Sequence, residues 1–371
     1  MIPLARPLIG AREEELVLET LRSGRLSLGP RMLDFEEGLA ARAGAKHVSA
    51  VSSGTAGLHL AIRAAGVEPG DEVVTTPFSF VASANCVLYE GARPVFCDID
   101  PRTLNISAEA AADAITDHTT GLLPVHIFGY PADMPAFERL AADRALWLVE
   151  DTCEALGARH ADGTPVGGRG NLSVFAFYAN KQLTTGEGGA VVSPSTEVKE
   201  RIDSERNQGR APDMGWLDHD RLGFNYRLDD ISCALGVAQL ERLDELLAER
   251  ARVAGLYAEA LAGVEGLTLP CPDEGGDVRS WFVYVVQLPQ GVDRDATVVA
   301  MRERGVDTKP YLPAIHLMSF YRERFGHREG EFPVCEDVAS RSLALPFFPE
   351  LTDAQVEQVV ESLRAVIDRP A

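Results

Sequence analysis

Short apolar runs alternate with amphipathic stretches from about residue 45 to about residue 195, the order that strands and helices follow in an α/β sheet. The runs predict strands over 71–75, 93–97, 121–127, 146–150, 173–178 and 189–193, and the stretch 56–65 reads as a helix. From 229 to 261 the pattern changes. Ile231, Leu235, Val237, Leu240, Leu243 and Leu247 recur near the helical period, which predicts one long helix leaving the first domain. Beyond it, 281–288 reads as a strand, 297–304 as a helix and 352–367 as a final amphipathic helix. The pattern therefore predicts a large α/β domain over 1–245 and a smaller α+β domain over 246–371. No internal repeat or low-complexity linker separates the two, so they are expected to pack together through the long helix.

Composition narrows the function classes. A chain of 371 residues exceeds what one ordinary core organises, in keeping with two domains. Its formal net charge of −21 argues against nonspecific binding to nucleic acid or to an anionic membrane, both of which need basic surface. An anionic ligand would have to be met by local cations and backbone N–H groups. The first residues lack a basic start followed by an apolar run, and no uncharged apolar stretch approaches the ~18 residues of a membrane span, so a cytoplasmic protein is expected. The six cysteines are dispersed and form no C-x-x-C pair, so packed, reduced thiols are expected rather than disulfides, and no metal site is signalled.

Three local features carry candidate chemistry. Ser52, Ser53, Gly54 and Thr55 precede the first helical run, where free N–H groups and the helix dipole attract an anion; the same residues also make an ordinary N-cap. Asp151 closes the apolar strand 146–150, at the strand end where open α/β sheets bind ligands, although an acid there can equally cap a helix. Lys181 follows the strand 173–178 and precedes the glycines Gly186, Gly188 and Gly189. Desolvation would make such a lysine nucleophilic, whereas a surface lysine before a glycine-rich turn would look the same.

The order of anion cradle, acid and lysine resembles that of fold-type I pyridoxal-phosphate enzymes. Over nearly its full length the chain also resembles the DegT/DnrJ/EryC1/StrS sugar aminotransferases, through SLGPRMLDFEEGLA, SSGTAGLHLAI, GDEVVTTPFSFVASANCVLYEGARPVFCDID, VEDTCEALGA, NKQLTTGEGGAVVS, LGFNYRLDDISCALGVAQL and TKPYLPAIHLM. Within that family the NKQLTTGEGG and PYLPAIH segments look most like the C-4 aminotransferases such as perosamine synthase. The resemblance implies a mostly parallel seven-stranded sheet, a homodimer with shared active sites, and pyridoxal 5′-phosphate as cofactor with pyridoxamine 5′-phosphate as its amine-carrying form.

Residue by residue, it implies that Lys181 is the Schiff-base lysine and Asp151 the acid at the pyridine nitrogen. Gly54 and Thr55 match the phosphate turn, Phe80 the ring stacked on the cofactor, and Glu154 a group near its phenolic oxygen, where many relatives carry Gln or His. Asn225 matches an asparagine reaching the phosphate of the neighbouring subunit, and His316, with Lys309 and Tyr311 of the same segment, falls in the substrate pocket. One departure stands out. Many relatives have a phosphate-binding serine five residues before the lysine, where this chain has Ala176; Ser173, on the opposite strand face, cannot replace it.

The implied reaction moves an amino group from glutamate to a nucleotide-linked keto sugar, such as a 4-keto-6-deoxyhexose, or to a keto-cyclitol. Two alternatives remain. One is a pyridoxamine-phosphate-dependent sugar dehydratase, a branch in which the lysine is replaced. The other is a cofactor-binding regulatory protein without turnover.

Overall fold

The computed structural model describes residues 1–211 and 218–367. Two helices, α1 (Ala11–Ser23) and α2 (Pro30–Ala43), lead the chain. Pro30 is pre-organised for the first helical position, and the buried carboxylate of Asp230 accepts the N–H groups of Gly29 (3.0 Å) and Met32 (3.3 Å) at the start of α2.

The large sheet follows: β1 (His47–Val51), α3 (Gly54–Ala64), β2 (Glu72–Thr75), α4 (Ala82–Tyr89), β3 (Arg93–Phe96), α5 (Ala108–Asp113), β4 (Thr119–Leu123), α6 (Met134–Arg144), β5 (Trp147–Asp151), β6 (Leu172–Ala176) and β7 (Gly189–Ser193). Its order is β1-β7-β6-β5-β4-β2-β3, and only β7 runs against its neighbours. Strands buried on both faces read as continuous apolar runs rather than as alternation, which is why five of the seven were plain in the sequence pattern. The sixth expected strand, 121–127, ends early at Leu123 because Pro124 offers no N–H to a ladder; residues Ile127–Gly129 instead form a turn of 3-10 helix. β1 was not anticipated.

After α7 (Thr196–Arg206), the single helix expected over 229–261 is two: α8 (Asp230–Glu241) and α9 (Leu243–Leu261), broken at Arg242 with φ −119° and ψ 17°. The two pieces serve different cores. Ala234 and Ala238 of α8 pack against Leu16 of α1, whereas Val253, Tyr257 and Leu261 of α9 join a second core. That core is completed by β8 (Tyr284–Gln287), α10 (Arg294–Glu303), β10 (Ser342–Leu345) and α13 (Asp353–Ile367). The exposed β9 (Lys309–Pro310) and the helices α11 (Ser319–Phe325) and α12 (Pro333–Arg341) lie outside it, and the strands take the antiparallel order β8-β10-β9. Among the described residues no helix is long and apolar enough to cross a membrane. All six cysteines are free thiols, five of them buried and Cys153 half-buried.

Candidate active site

The cradle forms where β1 ends. Ser53 caps α3 by accepting the N–H of Ala56 at 3.1 Å, leaving the first-turn N–H groups of Gly54 and Thr55 beyond the reach of intrahelical acceptors. The turn lies directly on the sheet. A Cβ on Gly54 would stand 2.6 Å from the Cβ of Ala176, and one on Gly189 would stand 2.6 Å from the carbonyl carbon of Ser53. Ala176 therefore does face the cradle, and its methyl is what Gly54 rests against. Ser173, on the other face, donates to the carbonyl of Gly167 at 3.3 Å.

Asp151 ends β5 beside this turn and is buried. One carboxylate oxygen accepts the Ser83 hydroxyl at 2.7 Å and the other accepts the Cys153 N–H at 3.1 Å. Ser83 in turn contacts Ser79 Oγ at 2.7 Å. The segment after Asp151 is a turn and not a helix, so Asp151 caps no helix. Glu154, in that turn, accepts the N–H of Phe128 at 2.9 Å on one oxygen and lies 3.6 Å from the amine of Lys181 with the other. Burial pushes its carboxyl above the usual range, and the lysine charge opposes that shift. Phe128 takes the left-handed conformation, φ 53° and ψ 23°, to direct its N–H there; a non-glycine residue so held marks local strain.

Lys181 emerges from a tight turn in which its N–H donates to the Tyr178 carbonyl at 2.9 Å. Its amine sits 3.8 Å from the centroid of the buried Phe282 ring, a cation–π contact, with Glu154 on another side. Gln182 is buried and donates to the carbonyl of Glu154 and to Ser280 Oγ (2.8 Å), tying the lysine turn to both segments.

The remaining candidates fall less uniformly. Phe80 is 61% exposed just before α4, and its carbonyl accepts the N–H of Ser83. Tyr311 is half-buried with its ring 5.7 Å from that of Phe128 and 6.2 Å from that of Phe282, so it flanks the lysine; burial, reinforced by the Glu154 charge, raises its hydroxyl pKa. Lys309 is exposed on β9. His316 is fully buried, with Nε2 paired to Glu336 at 3.0 Å and its ring against Phe332; among the described residues no contact joins it to Lys181, Glu154 or Asp151. Burial pulls its pKa down. Asn225 is exposed, and its neighbours Phe224 and Tyr226 turn their rings onto His59 of α3. Nothing among the described residues bonds to its side chain, although the adjacent Tyr226 carbonyl accepts the N–H of Ser52 at 2.8 Å.

These residues fit a flat, phosphorylated aldehyde. The cradle offers N–H groups on a turn packed so closely against the sheet that there is no room for a Cβ at position 189, and an acid, an amine and aromatic walls lie beside it. Gly189→Ala is accordingly expected to push the start of α3 off the sheet. Pyridoxal-phosphate affinity, titrated by absorbance, should fall at least about tenfold, ~1.4 kcal/mol. Overpacking should also lower apoprotein stability by about 1–3 kcal/mol in a denaturant melt. Unchanged affinity would place the phosphate elsewhere.

Ser83, Gln182 and Phe282 were not singled out in the sequence. The only signal for Ser83 is its spacing from Phe80 at the start of a helix; Phe282 lies in a run, WFVYVVQL, that reads as plain core.

Comparison with known proteins agrees with this geometry. The model of the DegT/DnrJ/EryC1/StrS aminotransferase family matches residues 7–364. The spore coat polysaccharide biosynthesis protein SpsC of Bacillus subtilis is 35% identical over 379 aligned residues, 99% of this chain and 97% of SpsC. Among solved structures, S. venezuelae DesV in complex with a ketimine intermediate is 34% identical with a TM-score of 0.91, covering 97% of this chain and 95% of DesV. The sugar aminotransferase CalS13 from Micromonospora echinospora is 31% identical with a TM-score of 0.89, covering 98% of this chain and 100% of CalS13.

Proposed function

Since the chain belongs to the DegT/DnrJ/EryC1/StrS aminotransferase family and is a pyridoxal-phosphate-dependent aminotransferase of fold type I, we propose that it transfers an amino group from glutamate to a nucleotide-linked keto sugar. The acceptor on this reading is a 4-keto-6-deoxyhexose and the product an amino sugar. The observation that carries the proposal is the amine of Lys181, present and held 3.6 Å from Glu154 in the same site as Asp151 and the cradle. A pyridoxamine-phosphate-dependent dehydratase would have no use for that lysine as a covalent link.

Pyridoxal phosphate supplies an aldehyde that condenses with amines, a ring that delocalises the electron pair left when a substrate proton departs, and, as pyridoxamine phosphate, a store for the amine. The chain does the rest. Gly54 and Thr55 would direct N–H groups at the cofactor's phosphate, and Phe80 would lie against its ring. Asp151, fixed by Ser83 and the Cys153 N–H, would keep a proton on the ring nitrogen. Glu154 would lie toward the phenolic oxygen. Lys181 would link the group through Nζ and, when free, would accept the proton of the substrate carbon there. Tyr311, Lys309 and His316 are assigned to the acceptor pocket, in which Tyr311 has the most direct placement beside Phe282. Residues 1–245 form the cofactor domain and 246–371 the smaller one.

The test is amine transfer by purified protein loaded with pyridoxal phosphate. Glutamate should yield one 2-oxoglutarate per site, and a nucleotide-linked 4-keto-6-deoxy sugar should then gain the amine and restore the visible absorbance. Sugar dehydration without amine transfer would support the dehydratase, aminated keto-cyclitol would move the acceptor class, and binding without turnover would leave a regulatory protein.

The proposal includes a homodimer in which Asn225 serves the partner's phosphate site. Its exposure and the lack of a partner for its side chain among the described residues support this, as does the missing hydroxyl at Ala176. Asn225→Ala should lower cofactor affinity about ten- to hundredfold, the scale of one hydrogen bond to a charged group. Mixed with Lys181→Ala subunits under conditions that exchange chains, it should give heterodimers with one intact site and up to about half the activity. No recovery on mixing would rule out the shared site.

A further inference from the structure

α9 carries a buried arginine that none of the chemistry above uses. Arg250 is 3% exposed, and its planar fork is occupied by backbone alone. Nη2 donates to the carbonyls of Lys181 (2.9 Å) and Asn180 (3.4 Å), and Nη1 to those of Phe282 (3.1 Å) and Trp281 (3.4 Å). Nε has no partner among the described residues, and the guanidinium lies 5.7 Å from the Phe347 ring centroid. Burial pulls its pKa down to about 10, with no opposing carboxylate among the described residues.

A buried, uncompensated cation is costly, and a helix that needed only packing there would be served by leucine. What arginine adds is a rigid set of donors that fixes several acceptors relative to one another. The four acceptors come from two segments distant in sequence: the turn from which Lys181 projects and the strand entry that supplies Phe282. These are the root of the amine and the ring beneath it, 3.8 Å apart at their functional ends.

We propose that Arg250 is the positioning residue of Lys181: by gripping the carbonyls of Lys181 and Phe282 together, it holds the amine over the aromatic face and within reach of Glu154. The proposal rests on Lys181 being the residue that links the cofactor. Without the fork, the lysine turn keeps its Tyr178–Lys181 bond and the Gln182 contact to Ser280, but the Lys181 carbonyl itself loses its tie to that of Phe282. Arg250→Lys keeps the charge while an ammonium cannot span both carbonyl pairs; Arg250→Gln loses charge and fork.

The experiment loads apoprotein with pyridoxal phosphate and follows two signals other than turnover: the rate at which the lysine-linked absorbance appears, and the visible circular dichroism per bound cofactor, which an achiral cofactor acquires only when held in one orientation. Arg250→Lys should slow linkage at least about tenfold and reduce the dichroism by about half, with Arg250→Gln lower still. A residue that only stabilises the fold would lower the melting temperature and leave both signals unchanged in the folded protein at 25 °C, and that result overturns the proposal. Should the Arg250 variants not fold, Phe282→Leu removes the ring while leaving the fork, and wild-type dichroism in that variant overturns it equally. Borohydride labelling of wild-type protein keeps the premise separate: a label away from Lys181 defeats the lysine assignment, whereas a label on Lys181 with unaltered signals in the variants defeats only the role of Arg250.

Discussion

Lys181→Ala is expected to give a folded protein that binds pyridoxal phosphate without linking it, and whose amine transfer falls at least about ten-thousandfold, the scale of removing a covalent nucleophile. The loss is one of chemistry. Removing the amine leaves the Glu154 carboxyl buried without its counter-charge, and the upward push of burial, no longer opposed by the lysine, favours the neutral form that the site can bury. Borohydride treatment of the wild type should fix the cofactor on the peptide containing Lys181, and the same treatment of the variant should fix none. A label on another lysine, or turnover within tenfold of wild type, would remove Lys181 from its role.

The second large effect belongs to Asp151. Asp151→Asn keeps the shape and one hydrogen-bonding oxygen but removes the charge that, on the proposed reading, would keep a proton on the ring nitrogen. Turnover should fall at least about a hundredfold while the cofactor remains bound, the scale of losing a preorganised electrostatic partner. The split between retained binding and lost turnover is the measurement. Loss of both together would point to a structural role instead, and near-normal turnover would place the acid elsewhere. Ser83 bears on the reading because its hydroxyl donates to the same carboxylate and fixes its direction.

The sequence makes the acid and the lysine legible because each follows a buried strand that reads as a continuous apolar run with an end that is easy to find. The cradle shows differently, through small and hydroxyl residues just ahead of a helical run, since the strand before it, β1, was not anticipated. What stays hidden arrives by tertiary packing. Arg250 lies in LLAERARVAG, where an arginine among charged residues reads as a solvated helix face, and segments distant in sequence, the lysine turn, 281–282 and Phe347, bury it. Gln182 and Ser280 meet across almost a hundred residues with no pattern to join them. The break at Arg242 was invisible because apolar spacing continues across it; the spacing records that both halves are helical, not that they face different cores. His316 is singled out by resemblance alone, and nothing in its local spacing shows that the fold pairs it with Glu336.

The pairing of Lys181 with Glu154 also bears on the order in which the enzyme is assembled. With the amine facing a carboxylate, and Asp151 facing the Ser83 hydroxyl and the Cys153 N–H, the cofactor-free chain already has a partner for each of these three charges. Folding therefore need not wait for the cofactor, unlike a zinc finger that collapses only around its metal. The chain can mature first and be charged later, and stripping the cofactor should return a competent apoprotein ready for reloading, with ligand binding adding stability by mass action rather than creating it.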